Sequence, residues 1–340
     1  MAWDIVAFIL ISAGVYFGIA AIMIISGKPR KPHAHQNDVA FRELFFDYHD
    51  IPRLQTFAAR DGKDLAYRHY PCPSSKVLIL LHGSGWHSRY LLPLARFVSD
   101  EDLADVYTPD LRGHGRDPER RGDVDYIGQL EDDLADFIAF ILRDDPERMV
   151  ILGGHSSGGG LAIRFAGGRY GCLADAFLLL SPFLKYNAPT MRPNSGGWAR
   201  PYIRPIIGLT MLNNVGVRWL NRLPIIDFNM PQEARDGTET LSYSYRLNTS
   251  YAPRNYEKDL SAITQPLFVA VGTEDEAFFA DRFEPVISRF THPEVRLLEG
   301  VSHMGVVVNP AVQPAVREWI RGLDGRATPV AGFLKRQSTH

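Results

Sequence analysis

Cysteine is almost missing from this sequence: Cys72 and Cys172 are the only two in 340 residues. Two cysteines make no disulfide framework, and neither sits in a cluster with metal-ligand spacing, so no metal or cofactor is expected. Unpaired thiols suit a reducing compartment. Net charge is nearly missing too. The 37 Lys and Arg against 39 Asp and Glu leave a formal charge of −2, which gives no electrostatic ground for a nucleic-acid partner. Basic residues are also absent from the first four positions, Met1-Ala2-Trp3-Asp4, although a secretory signal wants a basic start and an apolar segment of about 7–15 residues.

The apolar run that follows, 5–27, carries no charge and is longer than such a segment. Roughly 20 apolar residues at about 1.5 Å rise cross a bilayer core. The run reads as an uncleaved single-pass transmembrane helix rather than a signal peptide or a buried core helix. Lys28, Arg30 and Lys31 follow it, so the positive-inside rule puts the bulk of the chain in the cytoplasm, with Trp3 at the opposite interface. Residues 28–52 read as a linker and 326–340 as a flexible tail. With 45% hydrophobic and 22% charged residues, what lies between is ordinary globular chain, long enough for one large core.

The stretch 149–160 organises that core. Met149-Val150-Ile151-Leu152 is an apolar strand, Gly154-His155-Ser156-Ser157-Gly158 a sharp turn, and Leu161-Ala162-Ile163-Arg164-Phe165 the helix after it. G-x-S-x-G between a strand and a helix is the signature of a nucleophile elbow. A side chain on so tight a turn sits in a strained backbone region, and glycines two residues either side remove the collisions. The helix start aims amides at negative charge developing near Ser156. Glycine and serine are common, so the pattern alone also fits a mere glycine-rich turn. It gains meaning only if an oxyanion loop precedes it and an acid and a histidine follow in that order.

Upstream, 54–59 and 65–70 with a turn at Asp61-Gly62 read as a hairpin, and 76–81 as a strand covered on both faces. The strand ends in His82-Gly83-Ser84-Gly85, where glycine lets a backbone amide approach a substrate oxygen. The amides of Ser84 and Ser157 are the expected oxyanion donors. The Ser84 hydroxyl lacks an implied base, and His82 reads as a structural, hydrogen-bonding histidine. Asp110 and His114, in the loop after the strand 104–108, read as groups that hold that loop in shape. Residues 127–141 form an amphipathic helix whose acidic run, Glu131, Asp132, Asp133 and Asp136, reads as a solvated face.

After another covered strand, 176–180, the strand–helix rhythm stops over 183–256. This stretch reads as a cap inserted above the sheet, with Trp198, Tyr202, Ile206, Met211 and Trp219 as candidates to meet an apolar substrate; each could equally belong to the cap's own core. The rhythm resumes at 266–271, which ends in Gly272-Thr273-Glu274-Asp275. A last strand, 294–298, leads to His303 on a glycine-flanked loop, and 314–320 closes the chain's core as a helix. The expectation is therefore an α/β fold with a mostly parallel sheet. Its core comprises 53–182 and 257–325, around the cap.

Taken together, these motifs resemble the α/β-hydrolase superfamily, and more narrowly its monoacylglycerol lipase and lysophospholipase branch, of the serine aminopeptidase S33 type. The resemblance covers about 50–325. It rests on His82-Gly83-Ser84-Gly85, Asp110-Leu111-Arg112-Gly113-His114-Gly115 with Arg121-Gly122, the elbow, Gly272-Thr273-Glu274-Asp275 and His303. It implies Ser156 as nucleophile, His303 as base and Asp275, in preference to Glu274, as the acid. Ser157 stands where that branch often has Met or another apolar residue. The implied activity is hydrolysis of single-chain lipid esters, a monoacylglycerol or a lysophospholipid. The alternatives are a peptidase or amidase, an acyltransferase, or a sensor without chemistry. For a peptidase, Asp227 or Glu233 could receive a free amine. Oligomeric state is not legible.

Overall fold

The computed structural model describes residues 1–27 and 39–325. The basic cluster at Lys28, Arg30 and Lys31 and the tail 326–340 lie outside the described residues. Eight strands form the main sheet, and their sequences explain their places. The continuous apolar strands β3 (Lys76–Leu81), β5 (Met149–His155) and β6 (Ala176–Leu180) lie at its centre, and β3 and β6 are buried at every position. The order is β1 (Gln55–Ala58), β2 (Asp64–Tyr70), β4 (Asp105–Pro109), β3, β5, β6, β10 (Leu267–Gly272), β11 (Pro293–Leu298). Pairing is antiparallel for β1–β2 and β2–β4, and parallel for every neighbour pair from β4–β3 to β10–β11. Helices on both faces complete a layered α/β core.

The remaining three strands, β7 (Ala199–Pro201), β8 (Pro224–Phe228) and β9 (Ser242–Ser244), form a small antiparallel sheet inside the insertion. A chain with few alternating apolar residues gave no hint of it.

The N-terminal helix α1 (Ala2–Ser26) is long and apolar enough to cross a membrane by length and composition, and of its residues Ala20 is buried. Of the helices that follow, α2 (Leu92–Asp100), α3 (Gln129–Ile141) and α4 (Ser157–Ala166) cover the sheet. Helix α5 (Ile203–Asn214) lies in the insertion and packs on α1. Tyr16 donates to the Met211 carbonyl at 2.7 Å, and a Cβ on Gly208 would meet the Ala20 carbonyl at 2.7 Å. Residues near the C-terminal end of α1 thus lie against the start of α5, and the two helices run antiparallel.

Two sequence expectations change here. The acidic run on α3 is not a solvated face: Glu131, Asp132 and Asp133 are buried. Arg112 binds Asp133 at 2.8 Å, Arg169 binds Asp132 at 2.6 Å, and Arg164 binds Glu131 at 2.6 Å. The arginines come from distant segments, so periodicity within the helix could not reveal them. The described part of the expected linker is also packed. Val39, Phe41 and Leu44 are buried in the core cluster behind β3, because Phe41 finds a slot beside Trp86 and Trp198.

Candidate active site

Strand β5 delivers Ser156 onto a turn with φ 53° and ψ −118°, a region non-glycine residues rarely occupy. Both flanking glycines are required by contact. A Cβ at Gly154 would lie 2.4 Å from the Gly158 carbonyl carbon, and one at Gly158 would lie 2.5 Å from the Leu81 and His82 carbonyl oxygens. The strain is held by the strand behind and by bonds from the amides of Gly160 and Phe183 to the Ser156 carbonyl, at 3.1 and 2.8 Å.

Asp275 leaves the end of β10, and His303 follows β11 on the loop the sequence suggested. The His303 Nδ1 hydrogen points to Asp275 Oδ2 at 2.8 Å, and the Ser156 hydroxyl reaches His303 Nε2 at 3.1 Å. The other Asp275 oxygen accepts the amides of Ala277 and Phe278 at 2.9 and 2.8 Å. Burial works against charge on both groups. For Asp275 the facing imidazole and these donors win and hold its pKa below the usual carboxylate value. For His303 burial pulls down, but the attraction of Asp275 outweighs it and the imidazole pKa is raised. Glu274 is exposed and bonds through its amide to Val301, so Asp275 is the carboxylate that meets the histidine.

Ser84 and Ser157 both line the cavity at Ser156, and the Ser84 amide donates to no described residue. Ser157 opens α4, where the first amides of a helix have no internal acceptor. The Ser84 hydroxyl receives the Trp198 indole NH at 3.1 Å. His82 donates from Nδ1 to the Gly83 carbonyl at 2.8 Å and accepts the Leu111 amide at 3.1 Å. Burial pushes its pKa down to about 4, so it stays neutral. Asp110 accepts the Ser88 amide at 2.9 Å, and His114 meets the Tyr243 hydroxyl at 2.6 Å.

The insertion candidates separate. Trp198 lines the Ser156 cavity; the other four do not. Tyr202 gives its hydroxyl to Asp227, and Ile206 packs with Leu209 and Ile225 in the insertion's own small core. The Met211 carbonyl accepts the Tyr16 hydroxyl of α1, while Trp219 is 71% exposed. Their apolar character served helix packing or surface, an outcome composition alone leaves open. Asp227 and Glu233 likewise stand away from the cavity.

Sequence reasoning missed a buried relay beneath the site. The Gly83 amide donates to the Tyr90 hydroxyl at 2.6 Å, which donates to His155 Nδ1 at 2.9 Å; His155 Nε2 donates to the His303 carbonyl at 3.0 Å. Burial pushes His155 to about 3, so it remains neutral and keeps one donor and one acceptor. The only signal in the sequence was its place within the elbow motif. The relay joins the 82–85 loop, the elbow and the histidine loop through one chain of hydrogen bonds.

The cavity over Ser156 has a volume of about 70 Å³ and is walled by Phe183, Met191, Ile226, Phe228 and Phe278. No Asp, Glu, Lys or Arg lines it among the described residues. A smaller recess of about 20 Å³ adjoins Ser156 and His303 on another side, closed by Val39, Phe41 and Trp86. A larger opening, lined by Lys63, Arg112 and Glu119, is charged and contains neither Ser156 nor His303. Among the described residues no cluster of His, Cys, Asp and Glu could hold a metal ion.

The sequence matches the family model described as serine aminopeptidase, S33, over residues 73–305. The chain belongs to that family of α/β-hydrolases. It is a hydrolase related to monoglyceride lipases: human monoglyceride lipase is 28% identical over 237 residues, 67% of this chain and 74% of that protein. A monoacylglycerol lipase of Mycolicibacterium smegmatis is 33% identical over 107 residues, 31% of this chain and 37% of that one. Among solved structures, a soluble variant of the monoglyceride lipase of Saccharomyces cerevisiae, in complex with a substrate analog, superposes with TM-score 0.58. It is 17% identical and covers 87% of this chain and 99% of its own. A bacterial membrane phospholipase A superposes with TM-score 0.55 at 18% identity, over 95% and 98%. These two structures agree with the chain in fold.

Proposed function

We propose that the protein is a membrane-anchored serine ester hydrolase acting on single-chain lipid esters, a monoacylglycerol or a lysophospholipid. The observation that carries this reading is the cavity at Ser156: apolar walls suit an acyl chain, and among the described residues no carboxylate lines it to pair with a free amine. That weighs against the aminopeptidase activity for which the family is titled. Relatives named as monoglyceride lipases support the same substrate class.

In the proposed reaction the Ser156 hydroxyl attacks the ester carbonyl carbon while His303 Nε2 takes its proton. Asp275 holds the ring in the tautomer that makes Nε2 the acceptor. The tetrahedral oxyanion rests between the amides of Ser84 and Ser157, each donor being worth roughly 10²–10³ in rate. As the carbon–oxygen bond breaks, His303 passes the proton to the departing alcohol. Water then attacks the acyl-enzyme with His303 again as base, releasing the acid and restoring Ser156. No metal or cofactor takes part in this scheme.

Residues 183–256 act as the cap in this reading, over a core of 53–182 and 257–325. Helix α1 is the anchor, and the catalytic part faces the cytoplasm. A site tethered at a bilayer meets lipids already concentrated there. The test compares turnover of long-chain monoacylglycerol, long-chain lysophospholipid, an acetyl ester and an aminoacyl amide by the full chain in detergent micelles. The expected result is a preference for one of the long-chain esters; a preference for the acetyl ester or the amide overturns the lipid assignment.

A further inference from the structure

The residue after Asp275 also holds His303. One oxygen of the Glu276 carboxylate accepts the His303 amide at 2.9 Å, while the other accepts the Ala40 amide at 3.1 Å. Consecutive carboxylates thus grip one histidine from two sides, Asp275 through the ring and Glu276 through the backbone. Glu276 takes part in no salt bridge to Lys or Arg among the described residues, and burial pushes its carboxyl pKa up. A carboxylate held by two amides rather than by a cation is suited to fixing backbone positions.

The second amide makes the arrangement unusual. Ala40 lies in the segment 39–44, part of the stretch that composition marks as a linker. A second link runs parallel to the first: the Ser302 hydroxyl donates to Glu43 at 2.7 Å and accepts the Gly305 amide at 2.9 Å. Between the two links, Phe41 packs on Trp198 with ring centres 5.0 Å apart, and Val39 and Phe41 wall the recess beside Ser156. This segment therefore meets the histidine loop directly through Glu43, reaches it indirectly through Glu276, and borders the substrate space through Val39 and Phe41.

We propose that Glu276 is a positioning residue for His303, and that segment 39–44 completes it, so that the imidazole is set for proton transfer only when this segment is seated. The inference rests on the ester-hydrolase reading. It ties the catalytic histidine to a stretch of chain that follows the apolar helix in sequence, so the state of that stretch tunes turnover. The charged and titratable groups facing His303 are Asp275 at Nδ1, Glu276 at the amide and His155 behind the ring, 4.7 Å between centroids; Ser156 faces Nε2.

The test uses the full chain and a soluble nitrophenyl ester, with kcat, KM, the acid limb of kcat and the thermal midpoint read for each variant. Glu276→Gln keeps the volume but loses the charge and one acceptor. A hydrogen bond to a charged group is worth about tenfold to a hundredfold, so kcat should fall by about that factor with KM nearly unchanged. The acid limb should move to lower pH, because a negative charge that stabilises the imidazolium is gone. Glu276→Asp should restore the limb but not all of kcat, since the shorter arm cannot span both amides. Ala40→Pro removes the second donor at a position whose φ of −76° proline can adopt, and it should lower kcat while leaving the limb in place.

Parental kcat and an unmoved limb in Glu276→Gln overturn the positioning role. So does a loss of kcat that merely follows the thermal midpoint with the limb unmoved. Parental kcat in Ala40→Pro overturns the part assigned to segment 39–44. Full turnover in Ser156→Ala would instead sink the hydrolase reading beneath, so the two failures are distinguishable.

Discussion

Ser156 sits at a φ of 53° that costs about 1–3 kcal/mol, and it does so one residue from a helix start and 3.1 Å from a histidine nitrogen. That combination of strain, dipole and base is what an activated hydroxyl needs, and a purely structural turn needs none of it. The balance of charges at His303 gives a prediction at this scale. To accept the Ser156 proton the imidazole must be neutral, and Asp275 raises its pKa above the ordinary 6.5. Ester hydrolysis, followed as kcat/KM, should therefore fall on the acid side with an apparent pKa above 6.5 and rise as pH passes through it. Asp275→Asn should shift that limb down and lower kcat by roughly 10⁴, through loss of both the charge and the tautomer it fixes. A limb that stays in place in Asp275→Asn would remove Asp275 from its assigned role.

Between elements, buried ion pairs carry more than periodicity suggests. Glu131 on α3 is held by Arg164 of α4 and by Arg254 from the end of the insertion, and Arg164 also donates to the Thr249 and Ala252 carbonyls at 3.0 and 3.1 Å. This cluster fastens the insertion to the helix that follows the elbow. Removing one partner strands a buried guanidinium, so Glu131→Gln should lower unfolding free energy by about 3–5 kcal/mol in a denaturant melt. A change below about 1 kcal/mol would mean that the pair is solvated after all. The contact between α1 and α5 is set by a small residue. With Cys72→Ser and Cys172→Ser as background, a short bifunctional thiol reagent should join Tyr16→Cys to Met211→Cys. Adding Gly208→Leu should abolish most of that product, since the side chain would enter the Ala20 carbonyl and the Ile24 side chain. Equal yields would show that α1 does not rest on α5.

Across the whole molecule, what could be read in advance depended on how local its cause was. Strand β3 spans the residues its apolar run marks, because a strand covered on both faces needs no partner to be recognised. The elbow and His303 were legible because backbone sterics demand glycine around a strained serine and because the order of groups along the chain follows the sheet. The hidden parts all depend on meetings between distant segments. Glu131 looks solvated until Arg164 and Arg254 arrive; Phe41 looks like linker until Trp86 and Trp198 flank it; Tyr202 and Met211 look like pocket until Asp227 and α1 claim them. Glu276 carried no signal at all, since its role needs two amides from separate regions.

The account stands on Ser156 being the nucleophile. Incubating the full chain with a fluorophosphonate and mapping the adduct by peptide mass spectrometry tests this most directly. The predicted result is a single adduct on Ser156, absent from Ser156→Ala and strongly slowed in a His303→Ala variant that melts at the parental temperature. An adduct on another residue, or unchanged labelling in Ser156→Ala, would contradict it.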